Sequence, residues 1–166
     1  MSDAAADLPD AVRRVEIAAL AKALPFRVVR TELIARTAEE AAKAVSAEVG
    51  QIVKSLVFRG AESGRAYLLL VSGANRVDQA LVAGAIGEAL ERPDADFVRE
   101  HTGFAIGGVA PLGASSPLPV FMDEDLFGFD AVWAAAGTPY HVFETTPRDL
   151  GAATDAVMIR VRAAGA

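Results

Sequence analysis

Between Asp10 and Leu24, Val12, Val15, Ala19 and Lys22 fall at helical spacing, and Ile17 and Leu20 widen the apolar stripe. This predicts an amphipathic helix, stopped by Pro25, with an extended run over 26–31 after it. Thr37-Ala38-Glu39-Glu40 has the form of a capping box and predicts a second helix to about Ala47, before Gly50. Gln51 to Arg59 and Arg65 to Ser72 read as strands joined by the turn residues Gly60 to Gly64, a hairpin. Asp78 to Leu90 reads as a helix, in which Gly84 and Gly87 suggest close packing against a neighbour, and Asp94 to His101 as a short one. The stretch 102–113, T-G-F-A-I-G-G-V-A-P-L-G, reads as loop. Strands follow at 118–122, 131–135 and 140–145. A helix capped by Thr146 with Pro147 at its first position comes next, and 157–161 is a last strand. Strands and helices alternate without a strict βαβ rhythm, and a hairpin is present. The expectation is a single α/β domain over 1–166 built on a mixed sheet or open barrel, with residues 1–9 and 163–166 frayed.

Composition narrows the chemistry. The 166 residues are 52% apolar, enough for one domain core, but no run approaches the roughly 20 apolar residues of a spanning helix. Met1 to Asp10 carries three aspartates and no apolar stretch, so no secretory signal is read there and the cytoplasm is the expected location. There is no cysteine, which removes disulfides, thiolate nucleophiles and cysteine-based zinc sites. His101 and His141 are far apart and make no metal-binding pair, so no metal is expected. The net charge of −6 argues against salt-driven coating of duplex DNA but leaves room for a local basic pocket.

Two places could carry chemistry. Lysine occurs only at positions 22, 43 and 54, and the first two fall on predicted helices. Lys54 instead shares a strand face with Ile52, Leu56 and Phe58, opposite Val53, Ser55 and Val57. An ammonium on such a face needs a partner, a water-filled cleft or a lowered pKa, and snorkelling to the sheet rim is the plain structural alternative. The glycine run is neither a P-loop nor a dinucleotide fingerprint, but Gly107 and Gly108 can expose N–H groups to a phosphate or a carbonyl, with Pro111 stiffening the loop. A tight structural connection explains the same glycines. Ser72 to Asp78 could place a ligand at a strand end but reads as well as a turn and N-cap, and Gly137 to Pro139 reads as a turn first; Asp123, Glu124 and Asp125 could be paired acids, and a solvated helix start explains them as well.

The segments I-V-K-S-L-V-F at 52–58, V-S-G-A-N-R-V-D at 71–78, T-G-F-A-I-G-G-V-A-P-L-G at 102–113, A-G-T-P at 136–139 and T-P-R-D-L at 146–150 together resemble the YbaK/EbsC family. Its members are trans-editing proteins akin to the insertion domain of prolyl-tRNA synthetase. The resemblance runs in order over nearly the whole chain after the first helix. It implies a mixed, mostly antiparallel sheet curled into a partial barrel with flanking helices. It also implies an aminoacyl-tRNA deacylase that needs no cofactor, acting on the aminoacylated terminal adenosine of the tRNA acceptor end, usually that of tRNA(Pro). Members differ in the amino acid they remove: alanine, cysteine, 2-aminobutyrate, serine or threonine. The G-V-A-P stretch and the A-A-A-G-T-P turn resemble most the branch for small aliphatic residues, 2-aminobutyrate or alanine, with the serine/threonine branch left open. Prolyl-tRNA synthetase is an allowed partner; a membrane is not. By the same resemblance Lys54 holds the terminal nucleotide's phosphate, and the G-x-x-x-P element, Gly107, Gly108, Val109, Ala110 and Pro111, holds the ester carbonyl. Ser72, Gly73, Asn75, Thr102, Gly103, Gly137 and Thr138 fall to substrate binding. Water is activated by groups of the substrate itself. A non-catalytic nucleotide- or tRNA-binding regulator of the same fold is the competing expectation.

Overall fold

The computed structural model describes residues 8–163. The chain order is α1 (Asp10–Ala21), β1 (Val28–Arg30), α2 (Ala38–Ala44), β2 (Ile52–Gly60), β3 (Ala66–Ser72), α3 (Gln79–Ile86), β4 (Leu90–Glu91), α4 (Ala95–Thr102), β5 (Val120–Asp123), β6 (Val132–Ala135), β7 (His141–Thr145), α5 (Pro147–Thr154) and β8 (Val157–Ile159). The strands form one open sheet in the order β1-β7-β6-β2-β3-β5-β8, with β4 on β2. The sheet is mixed: β1–β7, β2–β3, β2–β4 and β6–β7 are antiparallel, and β2–β6, β3–β5 and β5–β8 parallel.

The hairpin β2–β3 is the spine. Every residue of β3 is buried, because the sheet is covered on both faces there. Leu68 and Leu70 belong to a cluster with Val15 and Ala19 of α1, Val98 of α4 and Leu150 of α5; Tyr67, Leu69 and Val71 pack with Val82 of α3, Leu90 and Ile159. The alternation of β2 divides the same way, Val53 and Val57 joining the first cluster and Leu56 and Phe58 the second.

Helix α1 buries Val12, Val15 and Ala19 completely but leaves Ile17 64% and Leu20 71% exposed, so the apolar stripe is narrower than the sequence pattern implied. The helix ends at Ala21, since Ala23 adopts φ 54°, and Leu24 folds back by donating its N–H to the Ala19 carbonyl. Residues 8 and 9 are not frayed: Pro9 caps α1 and its carbonyl accepts from Arg13 N, while Leu8 O accepts from Arg13 Nε. Residues 1–7 and 164–166 of the expected frayed ends lie outside the described residues. The capping box of α2 is offset: Thr37 Oγ1 accepts from Glu40 N, but Glu40 reaches back to Arg36 N.

Helix α3 stops at Ile86, four residues before the predicted end. Gly87, at φ +106°, caps it through a bond from its N–H to Ala83 O, and Leu90–Glu91 then pair with β2 as β4. A Cβ at Gly84 or Gly87 would meet nothing within 4 Å, so neither glycine serves close packing. No helix among the described residues is long and apolar enough to cross a membrane.

Candidate active site

The site begins with a gap in the sheet. Ile52 O accepts from Gly73 N, and Gly60 N donates to Arg65 O, so the even-numbered residues of β2 bond to β3. In an antiparallel ladder the odd-numbered residues then turn both N–H and C=O to the opposite edge. There β6 pairs only as far as Val53, and β4 pairs only with Arg59 and Gly60. Continuing the β4 register brings Pro93 opposite Val57, and proline has no N–H to offer. Among the described residues no strand covers Ser55 and Val57 on this edge.

A cavity of about 430 Å³ opens over that gap. Its walls come from β2, from Arg36, Thr37, Ala38 and Ala41 around the start of α2, from Arg92 and Pro93, from Ile106, Gly107 and Val109, and from Thr138 and Pro139. Gly108 lets the last two loops meet, and Gly137 seats the second of them on α1. A Cβ at Gly108 would stand 2.8 Å from Thr138 Cα and 2.9 Å from Gly137 O, and Gly137, at φ +111°, has the Ala11 backbone 2.8 Å from where its Cβ would be. The glycine loop and the Gly137–Pro139 turn, separate in the sequence pattern, are one wall.

Lys54 reaches this cavity. Its Nζ donates to the Asn75 carbonyl at 2.6 Å, and among the described residues it makes no ion pair. Burial pushes its pKa below the ordinary lysine value; Glu39 and Asp123 oppose the shift and Arg76 adds to it. Asn75 is fixed in turn: its Nδ2 donates to Asp123 Oδ2 and to Asp125 Oδ2, both at 2.8 Å. Arg162 Nε donates to the same Asp125 oxygen at 2.6 Å, and together with Asn75 it holds that carboxyl below its ordinary pKa. Asp123 is only 1% exposed and also accepts from Ser72 N and Asp125 N. It is therefore no solvated helix start; the buried carboxylate anchors the turn that holds Lys54.

The remaining candidates divide. Gly107, Val109 and Thr138 line the cavity. The Gly108 N–H is committed to Ala105 O at 3.0 Å and so does not face a ligand, contrary to expectation; Ala110 and Pro111 are buried behind the wall. Among the described residues the Gly107 and Val109 amides donate to no protein group. Ser72 Oγ is spent on Gly50 O at 2.7 Å, and Gly73 N on Ile52 O; a Cβ at Gly73 would strike the Val49 carbonyl. Thr102 Oγ1 donates to Val98 O and accepts from Phe104 N, while Gly103, at φ +75°, ends α4 and its carbonyl accepts from Arg14 at 2.6 Å. These four positions build the frame without entering the cavity.

The sequence pattern did not single out Arg36 and Arg92, which line the cavity. Nor did it mark His141, which stands behind this wall: its Nδ1 is 2.6 Å from Thr138 Oγ1, and burial, then Arg30, pushes its pKa down. Ser55 was also passed over, although its hydroxyl oxygen and Arg14 Nε are the buried side-chain polar atoms left without a partner among the described residues. A polar residue between Val53 and Val57 on a core-facing strand was the available signal for Ser55.

The aminoacyl-tRNA editing domain model matches residues 32–152, the span that contains every wall of this cavity. The chain belongs to the aminoacyl-tRNA editing family. With that family comes the enzyme class, an aminoacyl-tRNA deacylase. A crystal structure described as a candidate trans-editing enzyme for prolyl-tRNA synthetase is 49% identical, with a TM-score of 0.88, and the match covers 95% of this chain and 99% of that one. YwhH of Bacillus subtilis is 32% identical over 123 residues, 74% of this chain and 78% of the relative. EbsC of Enterococcus faecalis, a candidate Cys-tRNA(Pro)/Cys-tRNA(Cys) deacylase, is 27% identical over 112 residues, 67% of this chain and 68% of that protein.

Proposed function

We propose that this editing-family protein frees tRNA(Pro) from a wrongly attached small aliphatic amino acid, 2-aminobutyrate or alanine, by hydrolysing the ester at the terminal adenosine. The observation that carries this reading is the charge of the cavity. Arg36, Lys54 and Arg92 line it, and no carboxylate or histidine does among the described residues, although the protein as a whole carries −6. Such a cavity suits a phosphodiester chain end.

Lys54 meets the phosphate of the terminal nucleotide. A desolvated ammonium bound, among the described residues, only to a carbonyl has hydrogen-bonding capacity left for an anion, and the anion restores its charge balance. The Gly107 and Val109 amides stabilise the oxyanion that forms as water adds to the ester carbonyl; Gly108 shapes the loop instead. With no carboxylate or histidine lining the cavity among the described residues, and Lys54 engaged by the Asn75 carbonyl and the phosphate, a substrate hydroxyl or amine takes the proton from water, and positioning supplies much of the rate. The amino-acid side chain meets apolar wall and is selected by size, so discrimination between neighbouring aliphatics stays near the roughly 1–3 kcal/mol of one methylene.

The test is a deacylation panel: tRNA(Pro) charged with alanine, 2-aminobutyrate, cysteine, serine, threonine and proline. The expected result is turnover of the alanine or 2-aminobutyrate ester, with Pro-tRNA(Pro) spared. Efficient hydrolysis of Pro-tRNA(Pro), or inertness toward the whole panel, overturns the proposal.

A further inference from the structure

We propose that the uncovered edge of β2, the Ser55 carbonyl and the Val57 amide, reads the base of the terminal adenosine. The inference rests on the proposed function for the identity of the ligand, and on the strand geometry for the rest.

The carbonyl of one odd-numbered residue and the amide of the next lie side by side on the same strand edge. On the stretch between Val53 and Arg59, that pair is Ser55 C=O and Val57 N–H, and it borders the cavity. Main-chain groups in a folded interior are nearly always paired, so an unpaired acceptor beside an unpaired donor marks a place where something else docks. The side chain of Ser55 repeats the shortage, since its hydroxyl has no partner among the described residues either.

What docks must present a donor and an acceptor next to each other. A phosphate has only acceptors at neutral pH, and an α-ammonium only donors. Adenine offers both on one edge, the 6-amino hydrogen and the N1 lone pair. The amino group donates to Ser55 O, and Val57 N–H donates to N1. Apolar surface flanks this edge: Val98 and Val109 come from the first core cluster, and Ala41 and Val45 lie with α2, a sandwich suited to the faces of a purine ring. Lys54 precedes this edge on the same strand, so one strand segment takes the phosphate first and the base after it.

Hypoxanthine reverses both groups, with an acceptor at position 6 and a donor at N1, and sets like against like at both contacts. The experiment titrates the intact protein with 5′-AMP, 5′-IMP and 7-deaza-AMP, following backbone amide resonances by NMR, and then uses the same nucleotides to inhibit deacylation. The expected result is a saturable shift of the Val57 amide with AMP and 7-deaza-AMP, and at least about tenfold weaker binding of IMP. Equal binding of AMP and IMP, or a Val57 amide that does not respond, overturns the inference while leaving the deacylase reading intact. Discrimination of AMP from IMP by a protein inert toward every mischarged tRNA does the reverse: the base site stands and the proposed function falls.

Discussion

Two stretches of the central hairpin carry polar groups in opposite conditions. At its turn, Glu88 accepts from Glu62 N, Ser63 N, Ser63 Oγ and Tyr67 OH, and the carboxylate is fully occupied. The Ser63 hydroxyl and the Tyr67 phenol, followed by the backbone amides, pull its pKa down to about 2. A few residues along β2, among the described residues, Ser55 Oγ has no partner, one strand edge is uncovered, and Lys54 is held by a single carbonyl with its pKa depressed by burial. The turn is arranged for stability. The cleft leaves hydrogen-bonding capacity unfilled, which lowers stability and reserves those groups for a ligand.

The sharpest way to break this comparison is Lys54→Ala. We expect deacylation to fall by about 100-fold or more, because the nucleotide is no longer held at reacting distance. The melting temperature should hold or rise, since a desolvated ammonium is removed. A large drop in melting temperature with normal turnover in the folded fraction would show the cleft to be structural after all. Gly108→Ala makes the opposite forecast for the adjoining wall. Its methyl has no room against the Gly137–Thr138 backbone, so the loss is one of stability, about 1–3 kcal/mol by chemical denaturation.

Glu88→Gln tests the turn and carries a pH signature. The folded pKa of about 2 lies below the ordinary 4.5, so protons favour the unfolded chain. The stabilisation is present in full above about 4.5 and is lost as pH falls toward about 2. The wild type should therefore melt above the variant at neutral pH, the gap closing across that window, with turnover at pH 7 unchanged. A gap independent of pH would remove the carboxylate from the account. Gly84→Ala, outside both regions, should give the smallest effect: a gain of about 0.5–1 kcal/mol, because the position is helical, exposed and empty around its Cβ. Calorimetry checks the gain, and the tRNA panel should not register the change.

The sequence by itself determined most of the elements and the place of Lys54. Strand alternation put the lysine on the face of Leu56 and Phe58, and caps such as Thr146 and Thr37 located helix starts, because these signals act within a few residues. Where local signals were ambiguous they misled: Ile17 and Leu20 read as core but face solvent, and an apolar run continued past Gly87, where the backbone turns out of the helix. Only the tertiary structure decided what meets at the cleft. Asp123 reads as one of three surface acids until β5 carries it beside Asn75, 48 positions away in the chain, where it anchors the turn that holds Lys54. The Gly108 amide reads as a free donor until the loop folds it onto Ala105 O. The uncovered edge of β2 exists because β6 ends too early on one side and β4, on the other, runs into Pro93. Each of these depends on which distant strand arrives next and how far it runs, and pairing between distant strands is set by packing rather than by local propensity.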